Sequence, residues 1–181
     1  QIGSDMHTLK TGLSFLYDDF KETFDSTTLS RTEIVPGAFA EYFFNYHDKL
    51  SILAGFRTDY HNLFGWQHTP RLHFKYNFTE TTVLRVSGGR GFRVPNVFAE
   101  NTNVLVSSRT IFITEKIKPE ISWNIGGGLL HTFNIKQKKL LLSVEFYRTQ
   151  FINQLIVDLD HHISHASFYN LNGNSYSNSF Q

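Results

Sequence analysis

The sequence predicts an all-β protein, an antiparallel meander of about eight strands with one apolar and one polar face. Three observations support this prediction. Apolar and polar side chains alternate with a period of two, short and long connections alternate along the chain, and aromatic residues, which favour strands, make up 15% of the sequence. A strand places successive side chains on opposite faces, whereas a helix would distribute the same residues around its circumference.

The alternation is clearest in the middle of the chain. Between residues 69 and 78 the even positions are apolar and the odd positions are polar: Pro70, Leu72, Phe74, Tyr76 and Phe78 against Thr69, Arg71, His73, Lys75 and Asn77. Similar patterns predict strands at residues 7–20, 34–46, 49–61, 68–78, 81–92, 120–134, 138–150 and 163–181. Three glycines, Gly88, Gly89 and Gly91, interrupt the fifth of these segments, where they allow a sheet to bend or another backbone to approach.

The connections between the predicted strands fall into two groups. Residues 46–49, 77–81 and 135–138 are short, and they alternate with long connections at 21–33, 61–67, 93–119 and 151–162. Successive antiparallel strands run in opposite directions, so the short connections lie at one end of the sheet and the long ones at the other. This segregation is typical of outer-membrane barrels. A soluble antiparallel sheet with one face on a core produces the same alternation of side chains.

Composition excludes several classes of protein. The net charge of +1 gives no indication of a nucleic-acid partner, and the absence of cysteine excludes disulfides and thiolate metal sites. No apolar run reaches the roughly 18 residues of a transmembrane helix, whereas a barrel strand needs only about 9–11 residues. Residues 1–5 lack the basic start and apolar core of a signal peptide, so we expect the chain to begin after a cleavage site or inside a longer protein.

Two details favour a membrane barrel over a soluble sheet. The polar positions carry long charged side chains, as a water-filled lumen would permit: Arg57, Arg71, Lys75, Arg85 and Glu145. These side chains would line the lumen, pair with a plug, or simply face solvent. Aromatic residues also stand near the ends of the predicted strands, for example Tyr46, Tyr60, Trp66 and Phe133, where interfacial girdles occur.

Four segments resemble a known family. Residues 85–96 read RVSGGRGFRVPN with Glu100 after them, and residues 117–124 read IKPEISWN. Residues 144–148 read VEFYR, and residues 169–176 read YNLNGNSY. In this order the segments resemble the barrel of TonB-dependent receptors, although Val94 stands where the family usually has alanine, and a glycine or isoleucine stands where the second motif commonly has glutamate. The resemblance in motif covers about residues 80–181, and residues 1–79 agree in pattern.

The resemblance implies a fold and a function. Such receptors have a plug domain inside a barrel of about 22 strands, so residues 1–181 are expected to be one partial segment of a large transmembrane β-barrel, without the plug, the N-terminal region and the last strands. The implied protein is no enzyme and has no cofactor. It imports a scarce nutrient (an iron-siderophore, haem, cobalamin or a glycan) across the bacterial outer membrane. The implied partners are outer-membrane lipid, the ligand and, through other parts of the protein, TonB. Open strand edges would also invite self-association.

The same resemblance gives the candidate site residues, which we expect to hold the base of a loop more than to contact ligand: Gly91, Phe92, Arg93, Pro95, Asn96, Glu100, Lys118, Pro119 and Glu120. The glycine spacing lacks the order of a nucleotide-binding loop. His161, His162 and His165, near Asp158 and Asp160, raise a metal hypothesis, but solvated loop residues are the favoured interpretation. His73 and His131 are interpreted as residues of the barrel wall.

No catalytic triad or carboxylate pair is discernible, so the sequence does not support catalysis. Two alternatives to the receptor remain at this point. One is a soluble β-sandwich that binds carbohydrate or another ligand, and the other is a small, complete barrel of eight strands.

Overall fold

The computed structural model describes residues 2–4, 6–25, 27–113, 116–136 and 138–181. The predicted all-β architecture is confirmed. The strands are β1 (Ile2–Gly3), β2 (His7–Phe24), β3 (Thr27–Tyr46), β4 (Leu50–His61), β5 (Gly65–Thr79), β6 (Thr82–Arg93), β7 (Thr110–Ile113), β8 (Glu120–Ile135), β9 (Lys138–Ile152), β10 (Leu155–Asp158), β11 (His165–Asn170) and β12 (Asn174–Phe180). The short helix α1 covers Thr102–Leu105. Among the described residues, no helix has the length and apolarity required to cross a membrane.

Nine strands form one antiparallel sheet in the order β1-β2-β3-β4-β5-β6-β8-β9-β12. This is the predicted meander, since neighbours in the chain are neighbours in the sheet until β6. The loop between β6 and β8 contains α1 and β7, and the loop between β9 and β12 contains β10 and β11. Three of these strands form a second, small sheet in the order β10-β11-β7, in which β7 and β11 run parallel.

The register of the large sheet gives it one apolar and one polar face. Cross-strand partners point to the same face. One row of partners is largely apolar and runs Leu9, Tyr42, Ala54, Leu72, Gly88 and Ile125. The adjacent row is polar and runs Lys10, Glu41, Gly55, Arg71, Gly89 and Asn124.

The apolar face is exposed. Leu13, Ile125 and Leu142 keep 87%, 61% and 52% of their surface accessible, and no described element covers them. A soluble sandwich would bury these side chains against a second sheet.

The two ends of the large sheet differ as predicted. The end we call the turn end has tight turns at residues 47–49 and 80–81 and after Ile135; Gln137, in the third predicted short connection, lies outside the described residues. His47 and Asp48 have φ angles of 45° and 54°, as a tight hairpin turn requires. The opposite end, which we call the loop end, has the loops 94–119 and 153–173, although residues 114 and 115 are not described.

Two predicted boundaries are wrong. The predicted long connection 21–33 is a continuation of β2 and β3, which stay paired to Phe24 and Thr27 around a turn at Asp25; Ser26, in the same connection, is not described. The segment looked like a loop because it carries polar residues on both faces, Lys21 and its partner Ser30 on one and Glu22 on the other. The backbone ladder between β2 and β3 nevertheless continues through it. The predicted connection 61–67 is likewise shorter, since β4 reaches His61 and β5 begins at Gly65.

The predicted strand 163–181 is also wrong in extent. It is divided into β11 and β12, which belong to different sheets. Residues 171–173 redirect the chain between them, and Gly173 has a φ angle of 140°, which an L side chain rarely adopts. β11 joins the small sheet because its alternating side chains Ala166 and Phe168 are fully buried there.

Two prolines end strand pairing toward the loop end. The β3–β4 ladder ends at Gly37, next to Pro36, and the β5–β6 ladder ends at Arg71, next to Pro70. Proline has no N–H to donate, so it interrupts a ladder on one side. Asn62 then connects β4 to β3 beyond Pro36, because its side chain accepts from the Ile34 amide (3.0 Å) and donates to the Thr32 carbonyl (2.9 Å).

Candidate functional site at the loop end of the sheet

Arg93 and Glu120 connect the ends of β6 and β8. They are cross-strand partners, and the Arg93 Nε donates to Glu120 Oε2 at 2.5 Å. The other oxygen of Glu120 accepts the backbone N–H of Leu155, the first residue of β10, at 2.7 Å. Arg93 also pairs with Glu100 at 2.8 Å, and Glu100 accepts the backbone N–H of Asn96 at 2.9 Å. These contacts join four segments at the base of the two loops.

Arg31 on β3 joins this network from the other side. Its guanidinium donates to the Asn96 side-chain oxygen at 2.5 Å and to the Pro95 carbonyl at 3.3 Å. The same group pairs with Glu33 at 2.5 Å and lies 4.5 Å above the Phe20 ring. Pro95 itself is fully buried. The motif residues Pro95 and Asn96 therefore contact a strand that lies far away in sequence.

The second motif is held through its backbone. Both the N–H and the carbonyl of Lys118 bond to the side-chain amide of Asn170, at 2.7 and 3.2 Å. The same amide donates to the Asn153 carbonyl at 2.7 Å. Asn170 is 5% exposed, so these bonds are shielded from water. Pro119 is buried beside them, whereas the Lys118 side chain is exposed.

Gly91 and Phe92 occupy neighbouring positions near the end of β6. Gly91 is the cross-strand partner of Ser122, whose hydroxyl would lie 3.2 Å from a Cβ at that position. Phe92 is the partner of Ile121 and lies on the apolar face. Contact of any of the nine motif residues with a ligand stays a prediction.

The loops form a small folded unit above the sheet, which we call the loop cap (residues 94–113, 116–119 and 153–173). Its core is a cluster of five buried side chains: Val97, Phe98, Val104, Ala166 and Phe168. Two partly buried residues of the large sheet pack against this cluster: Phe24 at the end of β2 and Leu29 near the start of β3. The cap therefore has a hydrophobic core of its own, which the large sheet lacks on both faces in the described part of the chain.

Below the cap, the polar face carries paired charges. Arg57 binds Asp59 at 2.7 Å, and Arg71 binds Glu41. Asp59 is 2% exposed, so Arg57 compensates a buried carboxylate. The predicted polar-face positions are all on this face, including Lys75, Arg85 and Glu145. Glu145 accepts hydrogen bonds from the hydroxyls of Ser143 and Tyr147, both at 3.2 Å.

The polar face also contains a cavity of about 650 Å³ near the loop end. Its walls include Glu33, Asp59 and His61 as well as Arg57 and Arg71. His61 is 1% exposed, and its Nε2 lies 3.6 Å from Glu33 Oε2. Glu33, His61 and Arg31 carried no recognisable signal in the sequence, whereas Asp59 was only a polar position of its strand and Asn170 only a member of the fourth motif. Alternation placed the odd-numbered residues of β4 on the polar face, but it carries no information about which of them meet.

The histidines of the metal hypothesis lie in the loop cap. The rings of His162 and His165 stack with their centroids 4.2 Å apart, and His165 also contacts Phe112. Asp158 accepts the backbone N–H groups of Asp160 and His161, which lower the pKa of its carboxyl group. Within the described ranges, no group of three or more His, Asp or Glu side chains is arranged to hold a metal ion. His73 and His131 lie on β5 and β8.

Comparison with known proteins identifies this architecture. The family model described as "TonB dependent receptor-like, beta-barrel" matches residues 2–179. The siderophore receptor PirA from Pseudomonas aeruginosa has a TM-score of 0.73 and 14% identity, over 99% of this chain and 33% of that protein. No curated protein matches the chain.

Two further solved structures are similar. A mutant of the ferric enterobactin receptor PfeA from Pseudomonas aeruginosa, in complex with enterobactin, has a TM-score of 0.72 and 14% identity, over 99% of this chain and 31% of that one. The FrpB iron transporter from Neisseria meningitidis has a TM-score of 0.65 and 12% identity, over 98% of this chain and 30% of that one. The chain thus spans about a third of each of these proteins. The family match and the shared strand meander lead to one conclusion: the chain belongs to the TonB dependent receptor-like β-barrel family.

Proposed function

We propose that this chain is part of the barrel wall of an outer-membrane TonB-dependent receptor that imports a scarce nutrient, with a ferric siderophore as the first ligand class to test. The family match over residues 2–179 carries the proposal. The ligand class is supported by the names of the similar structures, which are a siderophore receptor, a ferric enterobactin receptor and an iron transporter. Haem, cobalamin and glycans are the other ligand classes to test.

The exposed apolar face supports a position in a membrane. Its side chains are flanked by aromatic pairs at both ends of the sheet. Tyr60 and Trp66 contact each other at the loop end, with ring centroids 5.2 Å apart, and Tyr76 and Phe78 do so at the turn end, at 5.0 Å. Aromatic rings in these positions are typical of the two membrane–water interfaces.

The two ends of the sheet support an orientation. Outer-membrane barrels have short turns on the periplasmic side and long loops outside the cell. In this orientation the loop cap faces the medium and meets the ligand first, and the polar face lines the lumen. The paired charges around Asp59 and His61 then lie where a plug or a passing ligand contacts the wall. Energy from TonB acts through other parts of the receptor.

Cysteine labelling tests this orientation, because the chain has no cysteine. Ile163, 89% exposed in the loop cap, and Asp48, in a tight turn, are each replaced by cysteine in the full-length receptor. We expect a membrane-impermeant maleimide to label I163C in intact cells and D48C only after the outer membrane is permeabilised. The unsubstituted receptor gives the background. Labelling of D48C in intact cells would contradict the orientation.

Uptake of iron-55 bound to a panel of siderophores tests the ligand class. We expect a strain that lacks the receptor to lose uptake of at least one of them, and the full-length gene to restore it only when TonB is present. Uptake of haem, cobalamin and glycans by the same strains covers the other ligands. Unchanged uptake of all four classes would contradict the proposed function.

A further inference from the structure

A groove crosses the apolar face at Gly88. It has a volume of about 580 Å³, and Leu72, Phe74 and Ile125 stand beside it. Gly88 lies between Leu72 and Ile125 in a row of cross-strand partners, so the row lacks a side chain at this point. A Cβ on Gly88 would make only ordinary contacts, at 3.5 Å from the Asn124 carbonyl and 3.9 Å from Ile125. The groove is therefore open space that a hydrocarbon chain fits.

Arg148 stands at the side of this groove. It is the cross-strand partner of Ile125 and Asn178, and its guanidinium lies 4.4 Å above the ring of Tyr176. Gln150 and Trp123, which are partners in the next row toward the loop end, also line the groove. Arg148 thus lies in the same row as Gly88 and Ile125, with Gln150 one row nearer the loop end and the apolar pair Phe74 and Val86 one row nearer the turn end.

The position of Arg148 along β9 fits the membrane surface. From Lys138 to Arg148 the strand covers roughly 34 Å at about 3.4 Å per residue. A tilt of about 40° reduces this to roughly 26 Å along the membrane normal, close to the approximately 25 Å height of the apolar band of such barrels. The residues of this face between the two cations are apolar: Leu140, Leu142, Val144 and Phe146. Arg148 is therefore at the level of lipid headgroups.

Arg148 has no acidic partner among the described residues of its own strand and the two neighbouring strands. Four arginines of the polar face and its loop end, Arg31, Arg57, Arg71 and Arg93, are paired with carboxylates. On β8, β9 and β12, by contrast, the apolar face carries no Asp or Glu in the described residues, and Arg148 makes no ion pair with any of them. The guanidinium of Arg148 is therefore available to an anion from outside these three strands.

We infer that the groove at Gly88 and the guanidinium of Arg148 form a binding site for a phosphorylated acyl lipid of the membrane leaflet at the loop end. The acyl chain lies in the groove between Leu72 and Ile125. Arg148 binds the phosphate, since stacking on Tyr176 leaves the N–H edge of the guanidinium free for paired hydrogen bonds. This inference rests on the proposed function, because it requires the apolar face to be in a membrane.

Native mass spectrometry of the full-length receptor in detergent tests the site. The probes are dioctanoyl phosphatidic acid, dioctanoylglycerol, which has the same acyl chains and no phosphate, and inorganic phosphate. We expect phosphatidic acid to be retained at least tenfold more tightly than dioctanoylglycerol, and Arg148→Gln to lower this preference at least fivefold. Arg148→Lys keeps the charge without the planar fork and retains part of the preference. Gly88→Leu fills the groove and weakens both lipids.

Arg85→Gln is the matched control, since Arg85 is on the same strand as Gly88 but on the polar face. Three outcomes would overturn the inference. The two lipids could be retained equally, Arg85→Gln could lower the lipid preference as much as Arg148→Gln, or inorganic phosphate could bind as tightly as phosphatidic acid. These outcomes differ from failure of the proposed function. A receptor that is absent from the outer-membrane fraction contradicts both, whereas an inserted receptor without the phosphate preference contradicts the lipid site alone.

Discussion

Glu120 binds Arg93 with one carboxylate oxygen and the backbone amide of Leu155 with the other, at 2.5 and 2.7 Å. The first bond joins two neighbouring strands of the large sheet, and the second joins that sheet to the loop cap. A single side chain thus fixes where the loop after β9 leaves the barrel wall.

Replacement of Glu120 separates these two bonds. In Glu120→Ala the Leu155 N–H loses its partner, which costs about 1–3 kcal/mol for a buried donor. The lost ion pair adds less, because the Arg93 side chain is 59% exposed and solvent screens it. We expect faster hydrogen exchange in residues 153–170 and unchanged exchange in β4 and β5. Glu120→Gln keeps an acceptor for the Leu155 N–H and should increase exchange less than Glu120→Ala. An equal increase in both variants would contradict a stabilising role of the bond between Glu120 and Leu155.

The contribution of Asn170 to the stability of the loop cap should depend on the hydrogen-bonding groups of its side-chain amide and not only on the shape of the side chain. Asn170→Asp keeps an acceptor for the Lys118 N–H but loses both donors, to the Lys118 and Asn153 carbonyls. We expect a local loss of stability of about 1–3 kcal/mol, measured by protease cleavage in the loop cap. Asn172→Asp, an exposed position two residues later, is the control. Cleavage that is the same in the two variants would show that Asn170 does not lock the loops.

Phe168 should hold the core of the loop cap. It is 0% exposed within the cluster of Val97, Phe98, Val104 and Ala166. Phe168→Ala leaves a cavity and costs roughly 3–5 kcal/mol. We expect the cap to lose protection from exchange while the folded barrel persists on gels. Ile163→Ala, at a position that is 89% exposed, should change little. Loss of the whole barrel in Phe168→Ala would show that the cap does not fold as a separate unit.

Adjacent positions on β9 test the two faces of the sheet. Leu142 lies on the apolar face and Ser143 on the polar face. In the lipid-facing band of a barrel an arginine costs roughly 2–4 kcal/mol near the midplane, whereas the lumen tolerates it. Urea unfolding of the full-length receptor in vesicles should therefore show a lower free energy of unfolding for Leu142→Arg and nearly no change for Ser143→Arg. A larger decrease for Ser143→Arg than for Leu142→Arg would mean that Ser143, and not Leu142, faces lipid.

Gly126 should tolerate no side chain. A Cβ there would lie 2.1 Å from the Tyr147 ring and 2.7 Å from the Phe146 carbonyl. Overpacking of this kind costs about 1–3 kcal/mol, and we expect Gly126→Ala to lower the fraction of receptor that assembles. Removing the ring in Gly126→Ala/Tyr147→Ala should restore only part of it, because the carbonyl contact remains. Gly88→Ala, at a position with ordinary contacts, is the control. Full assembly of Gly126→Ala would contradict the close approach of β8 and β9.

Much of the large sheet followed from the sequence. The period of two fixed which side chains share a face, so the polar positions of Arg57, Arg71 and Glu145 were predicted correctly. The same reasoning failed at the tips of β2 and β3, where polar residues stand on both faces although Phe24 and Leu29 pack against the core of the loop cap. It also failed at residues 163–181, where alternation continues through two strands although Gly173 separates them.

The sequence by itself determined most strands of the large sheet, their two faces and the segregation of turns and loops, because these depend on side chains that are close in the chain. Its motifs also indicated the family. Only the tertiary structure decided that Glu120 holds Leu155, that Asn170 holds Lys118 and Asn153, and that Arg31 holds Pro95 and Asn96. Such bonds join residues from different loops and strands. Hydrogen bonds between distant segments have no period, since they depend on how each loop folds back over the sheet.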